Sequence, residues 1–261
     1  MNTPTRVAAW QCRPGPLDVA GNLRRLDEAC AAAAAQQVAI LVTPEMFTSG
    51  YGIAPAEVLR LAEEPGGPTE AAVARIARRH RLAIGYGHPE RAASGGAYNA
   101  ATLIGPDGAV RGRHRKVHLF GDVDRSLFAA SPQPPAAFDF DGSRLGLLIC
   151  YDVEFPEAVR RLAAGGARAV LVPTANMTGF EAVQRFVVRT RAYENGCAVV
   201  YANYCGADDQ FEYGGLSVIC GPGGEVLAQA GPQQEELLVA DLTGESAATY
   251  LADRRPDLYG S

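Results

Sequence analysis

LGLLICYDVEFPE, residues 145–157, opens on an apolar run and closes on Asp152, Glu154 and Glu157, with Cys150 and Tyr151 at the join. An unbroken apolar run of this length reads as a strand buried on both faces. A cysteine at the end of such a strand is either core filling or a reactive group at the lip of a pocket. The rest of the chain has to decide between the two.

The segments that follow repeat one pattern. PEAVRRLAAGG (156–166) reads as a helix closed by glycines, and AVLVPTAN (169–176) as a strand. TGFEAVQRFVVRTRAYENG (178–196) reads as a helix opened by a capping box of Thr178 and Glu181 and ended at Asn195 and Gly196. CAVVYAN (197–203) and GLSVICGPGGEVLA (215–228) complete this half as strands. Upstream, RVAAWQC (6–12) and VAILVTPE (38–45) are strands flanking a helix over 18–37, where Leu23, Leu26 and Cys30 fall at helical spacing. PTEAAVARIARRH (68–80) is a second helix with Pro and Thr at its start. RLAIGYG (81–87) and YNAATLIGPDGAV (98–110) are strands, the latter turned at GPDG.

The halves match in detail. AILVTPE at 39 aligns with AVLVPTA at 169, GPDGAV at 105 with GPGGEV at 221, and RVAAWQC and RLGLLIC share a first arginine and a last cysteine. This predicts an internal duplication, each unit a sheet with helices on one face. Two such units pack sheet against sheet, so the expected fold is α/β, a duplicated four-layer α-β-β-α sandwich. It is expected to form one domain over residues 1–261, because PQPPAAFDFDG (132–142) is too short for a linker.

Composition narrows the function classes. The chain has 261 residues, 48% hydrophobic and 20% charged, as soluble globular proteins do. Its net charge of −5 argues against a nucleic-acid partner. No stretch approaches the roughly 18 consecutive apolar residues of a membrane span, so no membrane partner is expected. MNTPTRVAAW lacks the basic-then-apolar order of a secretion signal, and the six cysteines show no CxxC spacing. They read as free thiols in a cytoplasmic protein. ARRHR (77–81) and RGRHRK (111–116) read as solvated faces. His114 and His118 stand four apart, a metal-ligand spacing, yet no third ligand accompanies them, and neither a metal nor another cofactor is expected. GPDG and GPGG lack a following Lys-Ser/Thr and are turns, not phosphate loops.

In α/β units ligands collect where strands end. Three reactive residues stand at such ends: Glu45 in LVTPEMFTSGYG, Lys116 in HRKVHLFGDVD and Cys150. A catalytic cysteine attacks as its thiolate and needs a base or cation. A glutamate can take the thiol proton, pass it to a leaving amine and then activate water. A lysine ammonium can hold the oxyanion of a tetrahedral intermediate. Together they make an acyl-transfer apparatus without histidine. Singly each has a plainer reading, as core cysteine, capping acid and surface lysine. Pairing His88 or His118 with Cys150 would also require an orienting Asn or Asp. His118, two residues from Lys116 on an extended segment, is a candidate supporting residue.

The three segments resemble, in order, the glutamate, lysine and cysteine blocks of the nitrilase superfamily, the carbon–nitrogen hydrolases, and HLFGDVD is closest to its amidase branches. The resemblance extends through PTAN (173–176), RAYENGCAVVYAN (191–203), GGLSVICGPGGEVL (214–227) and YLADRRPDLYG (250–260). It implies the duplicated sandwich, catalytic roles for Glu45, Lys116 and Cys150, and an oxyanion held by Lys116 and the backbone N–H of Tyr151. Many amidases of this kind carry a second glutamate after the lysine. Here Asp122 and Asp124 stand instead, and Asp124 is expected in that role because DRSLF resembles the segment following the acid. An aspartate is one methylene shorter, so either its loop moves inward or the role weakens. Asp152, Glu154 and Glu157 read as a charged helix start.

The expected reaction is hydrolysis of a small primary amide to carboxylic acid and ammonia through a cysteine thioester, with water as the second reactant. A nitrilase or N-carbamoyl-amine hydrolase would use the same triad, and a non-catalytic binding protein would keep only the fold. The presence of all three residues speaks against the last. Tyr51, Asn176, Met177 and Phe180 are the candidate substrate-binding residues, with Tyr86, Tyr204 and Phe211 further out. The family pairs subunits through outer helices, which implies a homodimer or a higher even oligomer. Phe180, Val183, Phe186 or Val187, and Tyr193 supply apolar surface along 178–196.

Overall fold

Val7 and Ala9 face one way from their strand and Ala8 the other, yet all three are fully buried. That is the signature of a sheet covered on both sides. The computed structural model describes residues 5–93, 95–242, 253 and 255–259, so YLADRRPDLYG (250–260) lies partly outside the described residues. The first half holds β1 (Thr5–Gln11), α1 (Val19–Ala35), β2 (Ile40–Val42), α2 (Pro55–Leu61), α3 (Pro68–His80), β3 (Ala83–Arg91), β4 (Ala97–Ile104), β5 (Val110–Arg115), α4 (Gly121–Leu127) and β6 (Phe138–Phe140). The second holds β7 (Ser143–Leu147), α5 (Pro156–Ala164), β8 (Ala169–Pro173), α6 (Val188–Asn195), β9 (Ala198–Ala202), β10 (Cys205–Ala207), β11 (Glu212–Gly214), β12 (Val218–Cys220), β13 (Val226–Gln229) and β14 (Glu236–Leu242).

Two six-stranded sheets result, in the orders β14-β1-β2-β3-β4-β5 and β13-β12-β9-β8-β7-β6. β1, β2 and β3 run parallel and continue into the antiparallel pairs β3–β4 and β4–β5. β7, β8 and β9 run parallel and continue antiparallel into β12 and β13. This is the duplication read from the sequence. The 39/169 alignment falls on β2 and β8, and GPDG and GPGG turn the equivalent hairpins. The edges add a feature that the alignment did not contain. β6 leaves the first unit to pair antiparallel with β7, and β14 leaves the second to pair antiparallel with β1. Each unit lends its last strand to the other's sheet.

Three apolar layers hold the sandwich. Leu26, Cys30 and Ala33 of α1 and Val73, Ile76 and Ala77 of α3 pack on Ala8, Leu41 and Ile84. Val7, Ala9, Val42 and Leu103 meet Leu145, Leu147, Leu171 and Val200 between the sheets. Val159 and Leu162 of α5 and Val188 and Ala192 of α6 cover Val170, Val172 and Val199. Among the described residues no helix is long and apolar enough to cross a membrane, and all six cysteines are free.

Two local readings needed correction. The capping box at Thr178 and Glu181 does not form. The Thr178 N–H donates to Glu212 O (2.9 Å) and the Glu181 carboxylate accepts from Gly179 N–H (2.9 Å), so 178–181 is a turn tied to β11. The helix instead opens with one π-type turn, Val183–Val187, before α6. Gly196 ends it in the left-handed region (φ 57°), as expected. RGRHRK is not a solvated face. Along β5, Arg113 and Arg115 turn to the fully buried Glu90, while His114 and Lys116 turn the other way, into the molecule. Asp18 accepts from Gly21 N–H (2.8 Å), starting α1 where the sequence placed it.

Candidate active site

Glu45, Lys116 and Cys150 are far apart in the chain and meet where β2, β5 and β7 end. β2 leaves its sheet at Thr43, whose N–H still donates to Gly85 O (2.9 Å). Two residues on, the Glu45 N–H donates to Thr174 O (3.2 Å), past the end of β8 in the other sheet. The loop carrying Glu45 is therefore fixed by both sheets. A Cβ at Gly87 would lie 2.8 Å from Glu45 Cα and closer still to Met46 N, so only glycine lets β3 run beneath this loop.

Lys116 follows β5, and strand alternation sends its side chain inward. Its N–H donates to Asn99 O (2.8 Å). Its ammonium lies 2.7 Å from Glu45 Oε1 and 2.7 Å from Asp124 Oδ2, and all three side chains are completely buried. Asp124 is delivered by α4, a helix that the sequence reading did not assign. The Asp124 carboxylate also accepts from Tyr51 O–H (2.9 Å) and Phe120 N–H (2.8 Å). The aspartate thus reaches Lys116 because its backbone is brought inward.

Cys150 opens a tight 3-10 turn, Cys150–Glu154, in the left-handed region at φ 46°. Such a conformation costs a non-glycine residue about 1–2 kcal/mol. Asp152 holds the turn in place. Its carboxylate accepts from the N–H groups of Ile149 (3.3 Å), Val117 (3.2 Å) and His118 (2.9 Å), and it meets the rings of His114 (2.9 Å) and His118 (2.8 Å). Asp152 is therefore no charged helix start. It is a fully buried clasp joining the cysteine elbow to the lysine segment. His118 acts on this clasp, stacked on Phe155 at 3.8 Å, rather than on the triad itself. The His114/His118 spacing is explained by their shared carboxylate, and among the described residues no group of side chains could hold a metal.

The electrostatics follow from burial and from one cation between two acids. Burial pushes Glu45 above the ordinary carboxylate range; Lys116 and Asn99 oppose this, and the Asp124 charge adds to it. Burial works to lower Lys116, but Glu45 and Asp124 outweigh it and hold the ammonium well above its usual value. Burial and the Glu45 charge push the Cys150 thiol up, against Lys116 and contacts with Thr174 and Ala175. Burial and Glu45 thus favour the neutral thiol at Cys150, while Lys116 favours its thiolate. Glu45 Oε2 is buried without a hydrogen-bond partner.

The remaining candidates divide. The Tyr51 hydroxyl belongs to the cluster through Asp124, and Phe211 packs on its ring at 5.7 Å. Phe180, 44% exposed, meets Phe120 edge-on at 5.5 Å, and Phe120 in turn meets Tyr151, so an aromatic row runs from the surface to the residue after Cys150. The Asn176 amide donates to Gln184 Oε1 (2.9 Å) and Phe180 O (3.1 Å), and Met177 bridges to Tyr213, so both shape the turn behind the site. Tyr86 stacks on His88, and Tyr204 packs against Tyr213. Sequence reasoning missed Asn99, whose amide donates to Glu45 Oε1 (2.6 Å). Its only signal was a polar residue inside the apolar strand YNAATLI.

Comparison with known proteins agrees with this geometry. The family model for carbon–nitrogen hydrolases matches residues 6–250. A protein described as a hydrolase in the pqqF 5′ region of Pseudomonas protegens is 49% identical over 260 residues, covering 97% of this chain and 90% of the relative. An (R)-stereoselective amidase from Pseudomonas sp. is 36% identical over 249 residues, covering 93% and 89%. Among solved structures, the NitN amidase of a Nesterenkonia strain matches with a TM-score of 0.89 and 36% identity over 98% of each chain. A variant of a Nesterenkonia sp. AN1 amidase carries acrylamide added at its active-site cysteine.

Proposed function

The chain belongs to the carbon–nitrogen hydrolase family, an enzyme of non-peptide carbon–nitrogen bonds, and from this premise we propose that it cleaves small primary amides to carboxylic acid and ammonia through a thioester on Cys150. One observation carries the reading. A buried ammonium is clamped between Glu45 and Asp124, and the free oxygen of Glu45 lies in the same buried cluster as a cysteine held in a strained elbow.

Each residue takes one role. The Cys150 thiol gives its proton to the Glu45 carboxylate as Sγ bonds the amide carbonyl carbon and the C=O electrons move to oxygen. Lys116, with two N–H groups spent on carboxylates, turns its third to that oxyanion, joined by the Tyr151 N–H. Glu45 then protonates the amide nitrogen, the C–N bond breaks and ammonia leaves. Water attacks the thioester and loses a proton to Glu45. That proton returns to sulfur as the C–S bond breaks and the acid departs. Asp124 keeps Lys116 charged and aimed, and Tyr51 keeps Asp124 in place. The uncharged aromatic row of Phe180, Phe120 and Tyr151 favours compact aliphatic or cyclic amides over charged ones.

Ammonia release from matched amides, nitriles and N-carbamoyl amines tests the reading. The expected order places a short aliphatic amide first, with hydroxamate formed when hydroxylamine replaces water. Faster turnover of the nitrile, or carbon dioxide appearing with the ammonia, would move the chain to another branch. The chain also pairs with a second copy. Phe186 (66% exposed), Phe180, Val226 and Leu227 leave apolar surface on the face carrying α6. Light scattering should give twice the chain mass, and a monomer mass at micromolar concentration would end this part of the reading.

A further inference from the structure

We propose that Asn99 is a positioning residue that confines the proton transfers of the reaction to one oxygen of Glu45. The inference rests on the base role of Glu45 argued above, and it names a residue outside the Glu45, Lys116 and Cys150 set.

Asn99 lies inside β4 and is completely buried. A buried amide in a strand is costly unless it is bonded. It makes two bonds that span the site. Its Nδ2 donates to Glu45 Oε1 at 2.6 Å, and its backbone oxygen accepts the Lys116 N–H at 2.8 Å. The amide orientation is fixed by chemistry, since an ionised carboxylate offers only acceptors. Asn99 thus grips both the acid and the segment carrying the cation.

The consequence lies in how the Glu45 oxygens are loaded. Oε1 takes two donors, Lys116 Nζ at 2.7 Å and Asn99 Nδ2 at 2.6 Å. Oε2 is buried and takes none. Both lone-pair directions of Oε1 are in use, so a proton landing there must displace Lys116 or Asn99, while one landing on Oε2 displaces nothing. The Cys150 proton therefore passes to Oε2 as Sγ bonds carbon. The same proton leaves Oε2 for the amide nitrogen as the C–N bond breaks. Through both transfers Oε1 keeps its two bonds, and Lys116 stays aimed at the oxyanion. Without Asn99 the carboxyl group can rotate, and either oxygen can take the proton.

The test uses Asn99→Leu, which keeps the branching at Cγ and removes the donor, and Asn99→Ala, which removes both. Glu45→Gln is the control, and near-UV circular dichroism checks the fold of each. Against the best amide, kcat/KM at pH 7 should fall about 10–100-fold, nearly all of it in kcat, because a charge-assisted hydrogen bond to the base is lost. The acid limb of the kcat/KM profile should also move up by about one pH unit. The lost N–H favours the ionised form of Glu45, so its removal keeps the acid protonated to higher pH. A folded variant with the wild-type limb, whether its rate is normal or reduced, overturns the proposal, since a structural role alone lowers the rate without moving the limb. If Glu45→Gln is as active as wild type, the base assignment fails instead.

Discussion

Cys150→Ala should bring ammonia release to background, a loss of at least about 10⁴-fold, because covalent catalysis has no substitute here. The other reactive groups of the cluster, Glu45 and Asp124, are bound to Lys116 and have no path to an acyl intermediate of their own. The fold should survive. Alanine meets the same left-handed backbone at position 150 that cysteine already tolerates, and the change removes one sulfur from a partly exposed position. Thermal unfolding within a few degrees of wild type would separate lost chemistry from lost structure. Activity within tenfold of wild type would remove the thioester from the mechanism.

Lys116→Met is expected to damage both activity and stability. The oxyanion loses its cation, which should cost about 10³-fold or more in kcat. The fold loses the cation that Glu45 and Asp124 share, and breaking such a buried arrangement costs about 3–5 kcal/mol. The penalty should depend on pH in a stated direction. Burial and the Asp124 charge already push Glu45 upward, and Lys116 is the main opposing influence. With Lys116 gone, the folded-state pKa of Glu45 rises further above its unfolded value. Stability from such a group is fully present below the unfolded pKa and drains away as pH rises through the folded one. Denaturant titrations of wild type and variant between pH 5 and pH 8 should therefore show a gap that widens with pH. A gap of constant size would mean that Lys116 acts mainly through packing.

Much of this was legible in the sequence, for reasons tied to particular residues. The two parallel cores announce themselves because strands buried on both faces are unbroken apolar runs, and duplication supplied the same run twice. Glu45 and Cys150 stood out because each stands at the end of such a run, and Lys116 because it opens the loop after the 98–110 hairpin, in a segment that resembles the lysine block. Asp124 meets the Lys116 ammonium, and the helix that brings it inward went unread because it is only seven residues long and lacks a capping side chain. Asp152 was misread because an acid four residues before Pro156, with Glu154 and Glu157 beside it, looks like a helix start, and its histidine partners lie 34–38 residues upstream. Asn99 was invisible as a member of the site because its value lies in a bond across 54 positions. The edge strands escaped for a similar reason, since β6 is only three residues long and β14 joins a sheet whose other strands end at residue 115.

The exchanged edge strands also set an order on synthesis. As the chain leaves the ribosome, β1 through β5 are complete after residue 115, but β1 has no outer neighbour until residues 236–242 have been added. A bare strand edge invites pairing with other chains. The second sheet has no such wait, because β6 precedes β7 and is already present when its neighbour appears. The newborn protein therefore carries an open edge on its older half until residues 236–242 are added, and β14, which closes that edge, is the last strand among the described residues.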